Sequence, residues 1–258
     1  MQLTTIQKQE IWENGYTVAR GVVPPVMVEA AKRAINNSLG EGMEPSQMPT
    51  LRAQSYCPEV KNTPVIVDLF NRTPAFSLAE SVLGEGNFGP ALGGGQIALR
   101  FPMLRDPAPK AGPHLDGMSS PTNGVSPGTI GNFSMLVGVL LSDLPEPNSG
   151  NFTVWPGTHR STAKYFEEHG ADAFLEGMPK IEMPEPVQIM GKAGDVVLCH
   201  YQVAHGITAN SSPNIRYAIF FRLKHKDHDS HHREVLSDIW RDWPGMAEVR
   251  KGEEEKGK

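Results

Sequence analysis

Pro113-His114-Leu115-Asp116-Gly117 sets an imidazole and a carboxylate two residues apart. On a strand, residues i and i+2 project from the same face, so both side chains reach toward one point. A third ligand has to come from elsewhere in the chain, and Val203-Ala204-His205-Gly206 offers the best candidate. Two His and one Asp make the facial triad that leaves three positions open on a non-haem Fe(II). Zinc with a water as fourth ligand accepts the same set, so the ligands alone do not choose the metal. His-x-Asp also occurs by chance. It gains weight here because it follows a strand candidate and is flanked by Pro113 and Gly117, where the backbone can present side chains into a cavity.

The strands around this motif set the fold class. Upstream, Gln96 to Phe101 alternates, with Gln96, Ala98 and Arg100 on one face. Downstream, strand candidates run over Phe133 to Leu141, Asn151 to Trp155, Pro186 to Met190, Asp195 to His200 and Ile215 to Leu223. The last places Arg216, Ala218, Phe220 and Arg222 on one face. Several short strands with turn punctuation predict a β-sandwich, jelly roll or barrel. Thr162 to Glu176 reads as a helical insertion.

The first third is different. Thr5 to Asn14 reads as a helix ended by Gly15, and Tyr16 to Val23 as a β-prone run. Pro24-Pro25 then opens a helix with Val28, Ala31, Ile35 and Leu39 at helical spacing. Pro64 to Asn71 and Thr73-Pro74 to Leu83 read as two more helices, the second with Thr as N-cap and Pro at N1. Residues 41 to 63 carry no clean period and read as a long loop, with no sign in the sequence of what it covers. A short amphipathic helix is expected over Glu234 to Trp243, and a frayed tail over residues 251 to 258. The expectation is one domain over residues 1–250, with a helical layer (about 1–90) packed on a β core (about 91–225).

Composition excludes several classes of function. The charge is −5, with no basic stripe or Arg/Lys block, so neither nucleic-acid binding nor a CoA phosphate site is expected. No apolar run approaches the ~18 residues of a membrane span, and the N-terminus shows no signal-peptide pattern. A cytoplasmic protein with two free thiols, Cys57 and Cys199, is the expectation. The 22 Pro and 26 Gly argue for many turns and against a helical bundle.

Beyond His205 comes Asn210-Ser211-Ser212-Pro213-Asn214, a turn in composition. If it joins the two flanking strands as a hairpin, Arg216 returns beside His205 on the inner face. A cation next to a metal site suits a dicarboxylate that chelates the metal with one end and meets a guanidinium with the other. A structural salt bridge is the competing reading of Arg216.

These features together resemble the phytanoyl-CoA dioxygenase family of 2-oxoglutarate-dependent oxygenases. His-x-Asp, a distal His, Asn and Ser in the turn and an Arg shortly after carry the resemblance. Trp12 to Val23, Asn148 to His159 (similar to the family's "NG…PGSH" segment) and Gly194 to Leu198 extend it in the family's order over roughly residues 10 to 225. The resemblance implies a cupin-like double-stranded β-helix, a jelly roll of two facing sheets with the metal at one open end. It implies His114, Asp116 and His205 as Fe(II) ligands and Arg216 on the distal carboxylate of 2-oxoglutarate. Gln96 falls where related enzymes place a polar residue against cosubstrate or substrate. Some relatives use a Lys in this region, for which Arg100 is the substitute this chain offers. Arg100, Met118 and Trp155 are candidate substrate contacts, although Trp155 also reads as core. O₂ is the co-reactant, with succinate and CO₂ released and a small molecule oxidised. Halogenating relatives carry a small residue in the carboxylate position; Asp116 keeps the carboxylate and favours hydroxylation.

Other features read as structural. His225, His228, His231 and His232 lie among Lys224, Lys226, Asp227 and Asp229 and read as a solvated connector. His159 reads as a turn residue and His200 as a core histidine. Residues 117 to 131 form a loop long enough for a substrate-contact role. Two other functions compete with the oxygenase. One is a cupin-like zinc or iron enzyme without 2-oxoglutarate, which has no use for Arg216. The other is a non-catalytic β-sandwich binding protein, which has no use for three convergent ligands.

Overall fold

A computed structural model describes residues 1–91, 93–103 and 109–256. The chain begins with α1 (Thr5–Asn14), whose N-terminus is closed by a capping box between Thr4 and Gln7. β1 (Tyr16–Ala19), α2 (Pro25–Gly40), α3 (Met48–Ala53), α4 (Pro64–Asn71) and α5 (Pro74–Leu83) follow. Proline in the first turn of α2, α4 and α5 fixes φ where no amide donor is needed. Then come β2 (Gln96–Arg100), β3 (Met135–Leu140), β4 (Phe152–Val154), α6 (Thr158–His169), β5 (Val187–Gln188), β6 (Val196–His200), β7 (His205–Ile207) and β8 (Arg216–Leu223). α7 (His228–His231) and α8 (Ala247–Lys256) end the chain.

The strands form two antiparallel sheets. The larger has the order β1-β6-β3-β8-β2, the smaller β5-β4-β7. They face each other as the halves of a jelly roll. Period-2 alternation sorts the side chains of the larger sheet. Met135, Val137, Val139, Ile219 and Phe221 join one core cluster with α1, α2, α4 and α5. Leu136, Leu140, Ala218 and Phe220 join a second cluster with Phe152 and Val154 of the facing sheet. β3 is buried on both faces, which is why it reads as an unbroken apolar run. The helical layer thus shields one face of the larger sheet, and its other face is left to build the site.

Four expectations change. Within residues 41–63 there is a short helix, α3, preceded by a 3₁₀ turn over Pro45–Gln47. The helix expected over Glu234 to Trp243 is only a 3₁₀ turn, Glu234–Leu236, because Trp240 and Trp243 are held in ring contacts with each other and with His200. The backbone is helical from Ala247 through Lys256 where a frayed tail was expected; residues 257 and 258 lie outside the described ones. The fourth concerns the strand of Arg216 and belongs to the site. Cys57 and Cys199 are both free and buried, as expected. Among the described residues, no helix is long and apolar enough to cross a membrane.

Candidate metal centre and its cavity

His114 is not on a regular strand. It forms a single antiparallel bridge to His205, the first residue of β7. The two backbones exchange hydrogen bonds of 2.9 and 3.0 Å, and the imidazole centroids lie 4.5 Å apart. Two residues on, Asp116 presents Oδ1 at 3.7 Å from both His114 Nε2 and His205 Nε2. One donor atom from each residue lies within 4.8 Å of the others. Three donors this close, from two imidazoles and a carboxylate, can converge on one ion.

The triad is oriented from behind. His205 donates from Nδ1 to the Val203 carbonyl at 2.9 Å, which leaves the Nε2 lone pair free for a metal. Arg222 donates to Asp116 Oδ2 from Nε at 3.0 Å and from an Nη at 2.7 Å, so only Oδ1 is turned toward the histidines. Burial alone raises the Asp116 carboxyl, but the Arg222 charge, with the two imidazoles alongside, outweighs it and holds it well below the usual range. The turn after Asp116 requires glycine. Gly117 has φ +96°, and a Cβ there would stand 2.9 Å from the Asn132 amide nitrogen.

Arg216 reaches the same cavity by a different route from the hairpin expected. β7 belongs to the smaller sheet and β8 to the larger. The 210–214 turn therefore crosses between sheets, and Arg216 faces the triad from the opposite wall. Turn composition shows that the chain reverses; it does not show which sheet each arm joins. In the crossing, Asn210 Nδ2 binds the carbonyls of Arg100 and Asn214 at 2.8 and 2.7 Å. Arg216 is 3% exposed. It donates to Gly150 O at 2.8 Å and Ala98 O at 3.1 Å, and its remaining Nη is buried with no partner. Burial, with repulsion from Arg100, pushes its pKa down to about 9, so it is still a cation at neutral pH. Gly150 allows this approach: with φ +76° it lies over the arginine stems, where a Cβ would come 2.9 Å from Arg100 Cβ.

The cavity holds about 550 Å³ and is lined by His114, Asp116, His205, Gln96, Arg100, Met118 and Arg216 of the predicted residues. Trp155 is not among them. It is buried in the second core cluster and its amide is bonded to Ala204 O, so its role is packing. Gln96 has both polar atoms engaged by protein: Oε1 accepts from Arg222 at 2.9 Å and Nε2 donates to Ala53 O at 3.3 Å. It braces Arg222. The stretch read as an uncommitted loop proves to wall the cavity, through Pro49, Arg52, Ala53 and Tyr56. The 117–131 loop adds Met118, Ser119, Ser120, Thr122 and Asn123. A bond from Gln54 Nε2 to Thr122 O, 2.9 Å, ties these two coverings together.

The sequence did not single out Arg222 or Arg52, both of which line the cavity. The signal for Arg222 was present in the alternation that put it on the same face as Arg216. Nothing in the sequence marks Arg52. The histidine-rich segment is also not the solvated connector expected: His228 is fully buried against Asp242, Ser134 and Asn132.

The phytanoyl-CoA dioxygenase (PhyH) family model matches residues 11–218. Among solved structures, HygX from Streptomyces hygroscopicus with nickel and 2-oxoglutarate bound is 18% identical, with a TM-score of 0.56, covering 86% of this chain and 87% of that one. The non-haem α-ketoglutarate-dependent epimerase SnoN from nogalamycin biosynthesis is 17% identical, with a TM-score of 0.53 over 85% and 81%. AviO1 from Streptomyces viridochromogenes Tue57 is 18% identical, with a TM-score of 0.53 over 85% and 93%. These likenesses show the fold. No curated protein matches the sequence.

Proposed function

The chain belongs to the phytanoyl-CoA dioxygenase family, whose enzymes use Fe(II) and 2-oxoglutarate, and on that premise we propose which of its residues do the work. The activity is that of an Fe(II)- and 2-oxoglutarate-dependent dioxygenase acting with O₂ on a small molecule. His114, Asp116 and His205 hold the iron on one face. Arg216 holds the distal carboxylate of 2-oxoglutarate.

The observation that carries this assignment is the buried Arg216 Nη with no partner in a cavity shared with three convergent metal donors. An unpaired buried donor on a cation is expensive to leave unmade; a carboxylate arriving there satisfies it. The bound iron and cosubstrate supply the oxidising chemistry. The protein's part is positional. Arg222 keeps Asp116 monodentate, the Val203 carbonyl fixes the His205 tautomer, and Phe152 and Phe220 line the space where a substrate C–H is brought to the iron. We read the outcome as hydroxylation, because Asp116 fills the ligand position that a halide needs. One domain over residues 1–250 carries the activity in this reading. Its partners are small molecules, with no nucleic acid or membrane involved, and its place is the cytoplasm.

Anaerobic titration of the iron-loaded protein with 2-oxoglutarate tests the assignment. A visible metal-to-ligand charge-transfer band is expected in the wild type, lost in His205→Ala and shifted to higher 2-oxoglutarate concentration in Arg216→Ala. A wild type without the band would sink the reading.

A further inference from the structure

We propose that the substrate carries a negatively charged group, a carboxylate or phosphate, held by Arg100 and Arg52 while its carbon skeleton lies along Phe152 and Phe220 toward the metal. This rests on the functional reading above and adds the substrate's chemical class to it.

The argument is one of charge. Among the described residues the cavity wall contains four arginines, Arg52, Arg100, Arg216 and Arg222, against a single carboxylate, Asp116. Asp116 is consumed by Arg222, at 2.7 Å. Arg216 spends two nitrogens on carbonyls and has the third for the cosubstrate. Iron brings two positive charges and 2-oxoglutarate two negative ones, so binding both leaves the imbalance where it was. Arg100 and Arg52 remain. Neither side chain has a hydrogen bond or ion pair among the described residues.

Geometry gathers these cations around one cavity. Arg100 is the register partner of Arg216 across β2 and β8, so the two side chains leave the same face of the sheet. Arg52 comes down from the last turn of α3, which covers the cavity. Burial and then the repulsion of Arg52 lower the Arg100 pKa, the mark of cations crowded without a counter-charge. Arg100, half-buried in this condition, lacks a partner that a bidentate oxyanion provides, and the exposed Arg52 beside it adds a second cation at the cavity mouth. The linear sequence shows no basic cluster; the fold assembles one from α3, β2 and β8.

The test uses protein loaded with nickel and saturating 2-oxoglutarate, which blocks turnover and occupies Arg216. Calorimetry then compares benzoate and phenyl phosphate with neutral benzamide. The acids are expected to bind at least about tenfold more tightly, as a charge-assisted hydrogen bond to arginine implies. Arg100→Met and Arg52→Met should each erase most of that preference while leaving 2-oxoglutarate affinity within about twofold, since the bonds of Arg216 are untouched. Arg52→Met, on an exposed helix, keeps the test open should Arg100→Met not fold. The tighter of the two acids identifies the charged group. Equal binding of acid and amide, or no binding of either acid, overturns the inference. So does a 2-oxoglutarate affinity that falls in Arg100→Met as far as in Arg216→Met, because Arg100 would then belong to the cosubstrate. A wild type that binds neither nickel nor 2-oxoglutarate would instead overturn the reading on which the inference rests.

Discussion

Two parts of the molecule gather histidines around an aspartate, and they differ in what their lone pairs face. At the triad, Asp116 Oδ1 and the Nε2 atoms of His114 and His205 converge on a cavity, 3.7 Å from aspartate to each imidazole. Around Asp242 the same residue types are closed on one another. His228 Nδ1 meets Asp242 Oδ2 at 2.6 Å, His231 Nε2 meets Oδ1 at 2.7 Å, and Ser134 Oγ donates to Oδ2 at 2.5 Å. The other imidazole nitrogen of His228 lies 3.3 Å from Asn132 Oδ1. Both Asp242 oxygens are already engaged by protein donors. Residue type therefore does not distinguish a metal centre from a structural network; unspent donor capacity directed into open space does.

The contrast predicts opposite consequences for removing a member. Asp242→Ala strands a fully buried imidazole and a buried serine hydroxyl, and breaking such a buried pair costs about 3–5 kcal/mol. His205→Ala should abolish the charge-transfer band and turnover yet alter stability by far less, because its neighbours at the triad are oriented by Arg222 and the backbone. Urea unfolding of both variants measures this. The acid side gives a second handle. Burial raises the Asp242 carboxyl, but hydrogen bonds from His228, Ser134 and His231 outweigh it and hold it well below the usual range. A carboxylate depressed in the folded state stabilises fully above its unfolded pKa of about 3.9, and the benefit is lost as pH falls below that toward the folded value. The difference between wild type and Asp242→Ala should therefore be flat above about pH 5 and shrink below pH 4. A difference that persists unchanged at low pH would show that the network contributes packing and not ionic bonding.

The same contrast explains what was legible in the sequence. The triad could be read because metal-ligand chemistry is carried by residue type at short spacing, and Pro113 and Gly117 bracketed it. The helix ends were legible at Gly15, at Pro64 and at Thr73-Pro74, where caps and prolines act locally. The Asp242 network could not be read, since the local composition around His228 is hydrophilic and two of the partners that bury it, Ser134 and Asn132, lie far away in the chain. Arg216 lines the cavity of the triad, as expected, but reaches it by another path, because Asn210 to Asn214 specify a turn and not the sheets it connects. α3 was missed because six residues are too few to display a period. With it went Arg52, whose importance depends on where α3 lies over the cavity.

The next-largest effect lies behind the triad, where Arg222 gives it a polar support of the kind that saturates Asp242. Arg222→Met keeps the stem but removes both donors to Asp116 Oδ2. Partners that orient a metal ligand are worth 10–100-fold in metal affinity, so competition with a chelator should show a loss in about that range, with the protein still folded. If affinity is unchanged, Asp116 is held by the turn at Gly117 alone and the ion pair to Arg222 is incidental.

Gln96 should give the smallest change and the sharpest assignment. Its Oε1 accepts from Arg222 at 2.9 Å while Nε2 is occupied by Ala53 O, so it stands one step further from the metal than Arg222 does. Gln96→Leu removes one hydrogen bond to a cation that retains both its bonds to Asp116. A single bond of this kind, on a partly exposed partner, is worth about 1 kcal/mol, which is roughly fivefold in affinity. The loss should appear in metal affinity and be absent from Arg222→Met/Gln96→Leu relative to Arg222→Met alone, since the two residues act in series. The family resemblance led to a different expectation, that Gln96 touches 2-oxoglutarate directly. That arrangement would raise the 2-oxoglutarate requirement of Gln96→Leu at saturating metal, and the loss would persist when Arg222 is already gone. Measuring both affinities in the single and double variants separates a residue that braces the metal's support from one that binds the cosubstrate.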